Sequence, residues 1–99
     1  MSSYRLKRTK TFEKWFDKLR DKEAYLCISK RLKRMERGNF GDHKSLGGGI
    51  SELKIHYGPG YRVYYTERNG MIIILLVGGD KSTQDKDIVK ARQLAKEWK

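Results

Sequence analysis

The sequence ELKIH at residues 52–56 leads through a GPG turn at residues 58–60 into YRVY at residues 61–64. Apolar and polar residues alternate in both runs, and alternate side chains of a strand point to opposite faces of a sheet. One face is predicted to enter a core, with Leu53, Ile55, Tyr61 and Val63. The other face then carries Lys54, His56, Arg62 and Tyr64. A basic and aromatic cluster on a rigid sheet suits the binding or cleavage of an anionic polymer.

The charge of the chain points to an anionic partner. The 99 residues predict one domain, residues 1–99, and carry 23 Lys and Arg against 12 Asp and Glu, a net charge of +11. Residues 1–37 hold a net +8, residues 38–80 are neutral, and residues 81–99 hold a net +3. This excess favours nucleic acid, an acidic protein or an anionic membrane surface. The field around residues 52–64 therefore comes mainly from the two ends of the chain.

Membrane, metal and redox functions find little support in the sequence. The longest apolar run, residues 71–77, is well short of the ~18 residues of a membrane span. The first ten residues, MSSYRLKRTK, lack the apolar stretch of a signal peptide. The single Cys27 cannot form an internal disulfide, and one Cys with two His is too few for a zinc site. We therefore expect a cytoplasmic protein that uses no metal or other cofactor and has no membrane partner.

Two amphipathic helices are predicted in the first third of the chain. A short strand containing Tyr4 and Leu6 precedes them, Thr11 and Asp21 are the predicted N-caps, and Gly38 ends the second helix. Apolar residues recur at helical spacing in both: Phe12, Trp15, Phe16 and Leu19, then Tyr25, Ile28, Leu32 and Met35. This pattern favours a helical hairpin that covers a sheet.

The middle of the chain predicts strands. Residues 38–49 contain five glycines and no periodicity, which favours a loop. Strands are predicted at residues 51–57 and 61–67, and the Asn-Gly pair at residues 69–70 predicts a hairpin turn. Residues 71–77 are continuously apolar, as in a central strand that is buried on both faces.

A last helix completes the predicted order β-α-α-β-β-β-α. Ser82 and Asp85 have capping-box spacing, and the inner side of the helix carries Ile88, Ala91, Leu94, Ala95 and Trp98. The order predicts an α+β domain with a mainly antiparallel four-stranded sheet and helices packed mostly on one face. The opposite face would then be partly open and would present the polar cluster of residues 54–64.

Four sequence blocks occur in order with characteristic separations: GNFGD at residues 38–42, ELKI at 52–55, GPGYRVYY at 58–65 and GGDKSTQ at 78–84. Together they resemble the RelE/ParE superfamily, and more narrowly its HigB-like addiction module killer proteins, over residues 12–96. The resemblance implies a RelE-like domain and the toxin of a type II toxin–antitoxin module, which most often cuts mRNA on the ribosome. It also implies a helix-turn-helix, HigA-like antitoxin, and operator DNA bound only through the toxin–antitoxin complex.

RNA cleavage of this type needs no metal. A general base takes the 2′-OH proton, cations stabilise the charge at phosphorus, and a general acid protonates the leaving 5′ oxygen. The ends would be a 2′,3′-cyclic phosphate and a 5′-OH. By position in the resembled motifs, Arg62 matches the phosphate-binding arginine, Lys54 a basic strand position and Lys81 the basic residue after the last strand. Lys54 is also a candidate base.

The acid–base assignment stays open at this point. His56 is a candidate because histidine titrates near neutral pH. RelE carries a late tyrosine, whereas this chain has none after Tyr65. Asp85, Asp87 or His56 are the candidates to replace it.

Candidate RNA-binding residues lie on the sheet and on the second helix. Tyr64 is the aromatic residue predicted to stack on a base. The basic helix residues suit phosphate contacts, an acidic antitoxin or simply a solvated face: Lys30, Arg31, Lys33, Arg34 and Arg37. The structural alternative for Arg62 is an ion pair with Glu52 on the neighbouring strand. For Lys54 and His56 it is an ordinary exposed position.

Three functions compete on this basis. The first is a ribosome-dependent mRNA endonuclease. The second is a ParE-like inhibitor of DNA gyrase, which shares the fold and does not rely on a nuclease site on the sheet. The third is a non-catalytic basic module that acts with its antitoxin in autorepression on DNA.

Overall fold

A computed structural model describes residues 3–98 of the chain. The two strands predicted on either side of the GPG turn lie inside a five-stranded sheet. The elements are β1 (Arg5–Arg8), α1 (Lys10–Asp17), α2 (Lys22–Glu36), β2 (His43–Gly47), β3 (Ile50–Ile55), β4 (Tyr61–Arg68), β5 (Ile72–Asp80), a 3-10 turn (Lys81–Thr83) and α3 (Gln84–Glu97). The sheet order is β1-β5-β4-β3-β2. Strand β1 runs parallel to β5 and the other neighbours are antiparallel. The result is a small α+β domain with a mixed sheet.

The prediction of four strands is wrong because β2 lies within the glycine-rich segment that was expected to be a loop. Its sequence, HKSLG, has no alternation of apolar residues, and only Leu46 is partly buried. Backbone pairing with β3 therefore defines this strand more than side-chain burial does. The following glycines, Gly47, Gly48 and Gly49, all have positive φ, which allows the tight return into β3.

Helices cover both faces of the sheet. As predicted, α1 and α2 share one face, where their stripes pack on a core cluster that includes Leu53, Val63 and Leu75. The opposite face was expected to be partly open, but α3 packs on it over Ile74, Leu76 and the strand β4. The inner residues predicted for α3 are confirmed there. On this face Lys44 of β2 is exposed and Lys54 of β3 is partly exposed.

The helix caps differ in part from the sequence prediction. Helix α1 begins after Thr9, not Thr11: the Thr9 side chain accepts from Phe12 N and donates to the Leu76 carbonyl at 2.6 Å. Asp21 caps α2 as predicted. The predicted capping box of α3 is wrong, because Asp80 caps the 3-10 turn instead, with Ser82 N donating to it at 2.8 Å.

Strand β5 is central and buried on both faces, as predicted. The pairing of β5 with β4 has a bulge between Tyr64 and Tyr65, which shifts the alternation of faces along β5 by one residue. As a result, Gly78 faces Trp15 of α1, and Gly79 faces α3 on the other side of the sheet. Side chains at these two glycines would collide with their neighbours. The GG pair therefore lets helices approach β5 closely from both sides.

The turn after β4 is the expected Asn-Gly hairpin, since Asn69 and Gly70 both have positive φ. Within residues 3–98, none of the helices combines the length and the apolar character needed to cross a bilayer.

Candidate functional site

The polar cluster lies in two cross-strand rows on the α3 face of the sheet. In one row, Lys54 of β3 stands directly opposite Arg62 of β4. In the next row, Glu52 lies between Lys44 of β2 and Tyr64 of β4. Directly opposed side chains in an antiparallel sheet lie on the same face, within reach of each other. The register therefore brings three cations and one carboxylate together.

Arg62 forms an ion pair with Glu52, which was the structural alternative to a phosphate-binding role. Arg62 Nε lies 2.9 Å from Glu52 Oε1, and the two side chains are 13% and 2% exposed. The two atoms are at ion-pair distance but do not form a hydrogen bond, and within residues 3–98 neither buried atom has another hydrogen-bond partner. Arg62 Nη1 donates weakly to the Gly60 carbonyl at 3.4 Å. Arg62 is thus anchored in the fold at its Nε side.

Lys81 joins this site from the turn that follows β5. A side-chain atom placed on Gly60 would lie 3.7 Å from Arg62 Nη1 and 3.8 Å from Lys81 Cβ. Lys81 is exposed and begins the 3-10 turn that leads into α3. The fold therefore brings both Arg62 and Lys81 next to Gly60, although the sequence separates them by 19 positions.

His56 lies just beyond the end of β3 and pairs with Asp42. The distance from His56 Nε2 to Asp42 Oδ2 is 2.5 Å, and both side chains are well exposed. The hydrogen bond from His56, helped by the nearby charges of Lys54 and Arg31, holds the pKa of the Asp42 carboxyl below its usual range. The pair holds the imidazole by Nε2, and no hydrogen bond within residues 3–98 engages its Nδ1.

Arg31 is not part of the exposed basic row in which the sequence placed it. Its guanidinium donates to the carbonyls of Lys54 at 2.5 Å, Phe40 at 3.1 Å and Asp42 at 3.3 Å. Burial is the main cause that lowers the pKa of Arg31. Arg31 thus fixes the segment before β2 to the end of β3 and sets the positions of Lys54 and Asp42.

The expectation that Tyr64 stands on an open face is wrong. The ring is 0% exposed and belongs to the cluster packed under α3. Burial, followed by the charge of Glu52, raises the pKa of the Tyr64 phenol above its usual value, and its hydroxyl has no hydrogen-bond partner in residues 3–98. A fully covered ring cannot stack on an RNA base without moving α3.

The other basic residues of α2 are exposed, but they lie on the helical layer behind the sheet. This group consists of Lys30, Lys33, Arg34 and Arg37. Helix α2 packs on the sheet face that carries Leu53 and Val63, opposite to the face of Lys54 and Arg62. A polyanion that contacts both groups therefore has to pass around an edge of the sheet.

Sequence reasoning missed Lys44 and Asp42 because both lie in the segment that was expected to be a loop. Lys44 is exposed and stands opposite Glu52, and Asp42 binds His56. No periodicity marks either residue, so only the pairing of β2 with β3 reveals them. Residues 3–98 contain no group of three or more His, Cys, Asp or Glu side chains arranged to hold a metal ion.

Comparison with known proteins agrees with the resemblance at the level of a phage-derived, toxin-like family. The family model described as phage-derived protein Gp49-like (DUF891) matches residues 14–97, a range that includes every site residue above. A Haemophilus influenzae protein described as uncharacterized is 54% identical over 92 residues, which are 93% of this chain and 93% of that one. The narrower HigB-like assignment stays a prediction. The chain belongs to the phage-derived Gp49-like family.

Proposed function

We propose that this chain is the toxin of a type II toxin–antitoxin module and cuts mRNA on the ribosome without a metal. The observation that carries the proposal is the grouping of Arg62, Lys54 and Lys81. Arg62 lies opposite Lys54 in the sheet and borders Gly60 together with Lys81. The net charge of +11 favours a polyanionic substrate, and membership of a phage-derived family is consistent with a toxin.

The cations act on the phosphate. In this mechanism the outer N–H groups of Arg62 bind non-bridging oxygens of the scissile phosphate, since a planar guanidinium matches their spacing. Lys54 and Lys81 add positive charge on either side. Because the fold holds Arg62 before substrate arrives, its charge stabilises the phosphorane-like transition state with little reorganisation.

Two proton transfers accompany the phosphoryl chemistry. A base removes the 2′-OH proton, the 2′ oxygen bonds to phosphorus, the bond from phosphorus to the 5′ oxygen breaks, and an acid protonates that oxygen. The products are a 2′,3′-cyclic phosphate and a 5′-OH. His56, oriented by Asp42, serves one transfer, and the Lys54 amine is the candidate for the other.

The partners follow from the same proposal. A cognate antitoxin of the helix-turn-helix, HigA-like type neutralises the toxin, and an acidic surface on it would complement the basic chain. The ribosome supplies mRNA, and the exposed α2 cations Lys30, Lys33, Arg34 and Arg37 are candidates for RNA contacts. Operator DNA is bound through the toxin–antitoxin complex. The proposed site of action is the cytoplasm.

One observation favours the gyrase-inhibitor alternative. Arg62 is engaged by Glu52, and Tyr64 is covered by α3, so the sheet offers fewer free groups than the sequence suggested. A ParE-like toxin needs no nuclease site on this face. The two functions differ in their cellular signature, because gyrase inhibition triggers the DNA damage response.

Induction of the chain in bacteria tests the proposal. We expect growth arrest together with new mRNA 5′ ends, and loss of both in Arg62→Ala. Arg5→Ala is the matched control, since Arg5 is an exposed strand arginine on β1, at the opposite edge of the sheet from β2.

Growth arrest without new 5′ ends contradicts the nuclease. Toxicity retained in the Arg62→Ala, Lys54→Ala double variant, with a DNA damage response, supports gyrase inhibition. Absence of any growth defect supports the non-catalytic module.

A further inference from the structure

The buried carboxylate of Glu52 has no obvious structural purpose. It is 2% exposed and contacts only one nitrogen of Arg62 at the distance of an ion pair. Buried ion pairs seldom stabilise a fold more than well-packed apolar residues do, because both charges lose their hydration. Three neighbouring buried polar atoms also lack hydrogen-bond partners within residues 3–98: Glu52 Oε1, Arg62 Nε and Tyr64 OH. Unsatisfied groups clustered in this way call for a functional explanation.

The direction of the contact is informative. Glu52 approaches the Nε side of the guanidinium, and the Gly60 carbonyl takes one weak hydrogen bond from Nη1. No acceptor in residues 3–98 receives a hydrogen bond from Arg62 Nη2. Glu52 therefore contacts the guanidinium at Nε, while N–H groups of Nη1 and Nη2 are available to donate hydrogen bonds to a ligand.

The surroundings of Glu52 keep its carboxylate in place. It lies between Lys44 and Tyr64 in the strand register, and both Glu52 and Tyr64 are buried. Strands β3 and β4 are both paired on two sides, which fixes the backbones of Glu52 and Arg62, and the two side chains are nearly buried against each other. An arginine held in this way loses less conformational freedom when an anion binds.

We propose that Glu52 is a positioning residue that holds Arg62 by Nε, so that Nη1 and Nη2 present a preformed fork to a phosphate oxyanion. That the oxyanion is the scissile phosphate of RNA rests on the proposed function. The positioning of Arg62 by Glu52 does not depend on it. The opposite reading makes Glu52 a competitor that occupies Arg62 until substrate displaces it. The two readings predict opposite effects of removing the Glu52 charge.

Titration with inorganic phosphate, monitored by the ¹⁵N NMR signal of Arg62 Nε–H, separates them. Glu52→Gln removes one negative charge and so raises the net charge of the protein by one, which by itself strengthens anion binding. Positioning predicts the reverse, a weakening of about tenfold, because the guanidinium loses the ion pair that orients it. The matched control Glu67→Gln makes the same charge change at an exposed position of β4 and reports the general charge effect.

Two further variants make the result decisive. Glu52→Asp keeps the charge but withdraws the carboxylate from Nε, and we expect weaker phosphate binding in the same direction. In an Arg62→Ala background, with phosphate binding followed by the backbone amide signals around Gly60, Glu52→Gln should show only the general charge effect that Glu67→Gln shows, because Glu52 acts through Arg62. If Glu52→Gln binds phosphate as well as Glu67→Gln does, or if phosphate leaves the wild-type Arg62 signal unchanged, the proposal is wrong. A protein that binds phosphate as expected but cuts no mRNA refutes the proposed function alone.

Discussion

The Asp87 carboxylate of α3 lies directly against the backbone of Gly79 in β5. The Thr83 hydroxyl donates to Asp87 Oδ2 at 2.6 Å, and a side chain on Gly79 would collide with both of these residues. Gly79 is also paired with Arg62 across the sheet. The start of α3 can therefore lie next to the candidate site because Gly79 has no side chain that would collide with it.

Gly79→Ala should lower the free energy of unfolding by about 1–3 kcal/mol, the usual range for overpacking a closely packed contact. The added methyl group must push the Asp87 carboxylate, and with it the first turn of α3, away from β5. Urea denaturation measures the loss. The double variant with Asp87→Ala should be more stable than the sum of the two single effects predicts, because the second change removes the obstacle. Strict additivity of the two changes contradicts this packing.

Thr9→Ala should destabilise the protein by about 2 kcal/mol, since it removes an N-cap and a buried hydrogen bond to the Leu76 carbonyl. Thr11→Ala is the matched control. Thr11 lies inside the first turn of α1, where alanine is the better helix former. Thermal unfolding should therefore separate the two variants clearly. A larger loss in Thr11→Ala than in Thr9→Ala contradicts the observed start of the helix.

Tyr64→Phe should stabilise the protein by about 1 kcal/mol, because the buried hydroxyl it removes has no partner in residues 3–98. Tyr57→Phe deletes the same atom from a hydroxyl that donates to Asp21 at 3.0 Å, and it should be neutral or slightly destabilising. Chemical denaturation of both variants gives the comparison. A marked loss of stability in Tyr64→Phe means that its hydroxyl has a hydrogen-bond partner after all.

His56→Ala should raise the pKa of Asp42 toward its ordinary value, because the hydrogen bond from His56 is the main cause that lowers it. A depressed folded-state pKa contributes stability above the unfolded pKa of about 4, and that contribution is lost as pH falls through the folded value. A carbon-13 titration of the carboxyl groups measures the shift. The pKa of Asp80, which Ser82 holds low, serves as the internal control. If the Asp42 pKa does not move, the pair does not form in solution.

Much of the fold follows from the sequence because burial leaves a periodic pattern. The stripes of α1 and α2 and the interior strand β5 are visible in the spacing of apolar residues, and the cap at Asp21 is visible in its residue type. Strand β2 is not visible, since backbone pairing at a sheet edge needs no apolar side chain. The position of α3 was also missed, because an amphipathic stripe does not indicate which face of a sheet it covers.

The candidate site was predictable in its residue types but less so in its accessibility. Alternation put Lys54 and Arg62 on one face correctly, and the register places them opposite each other. The same alternation predicted that Tyr64 is a surface residue, but α3 covers it in the structure. Arg31 could not be distinguished from its exposed neighbours on α2, because its partners are backbone carbonyls that are distant in sequence. Placement of these side chains depends on tertiary packing rather than on local pattern.

The most direct test of the central claim is cleavage of a defined mRNA by the purified protein in the presence of translating ribosomes. Wild-type protein is expected to yield fragments with a 2′,3′-cyclic phosphate and a 5′-OH, without added metal beyond what the ribosome needs. Arg62→Ala should cut about 10²–10³ times more slowly, the usual effect of losing one group that stabilises transition-state charge. Arg5→Ala should cut at the wild-type rate. Absence of cleavage by the wild type, or equal rates for wild type and Arg62→Ala, contradicts the account.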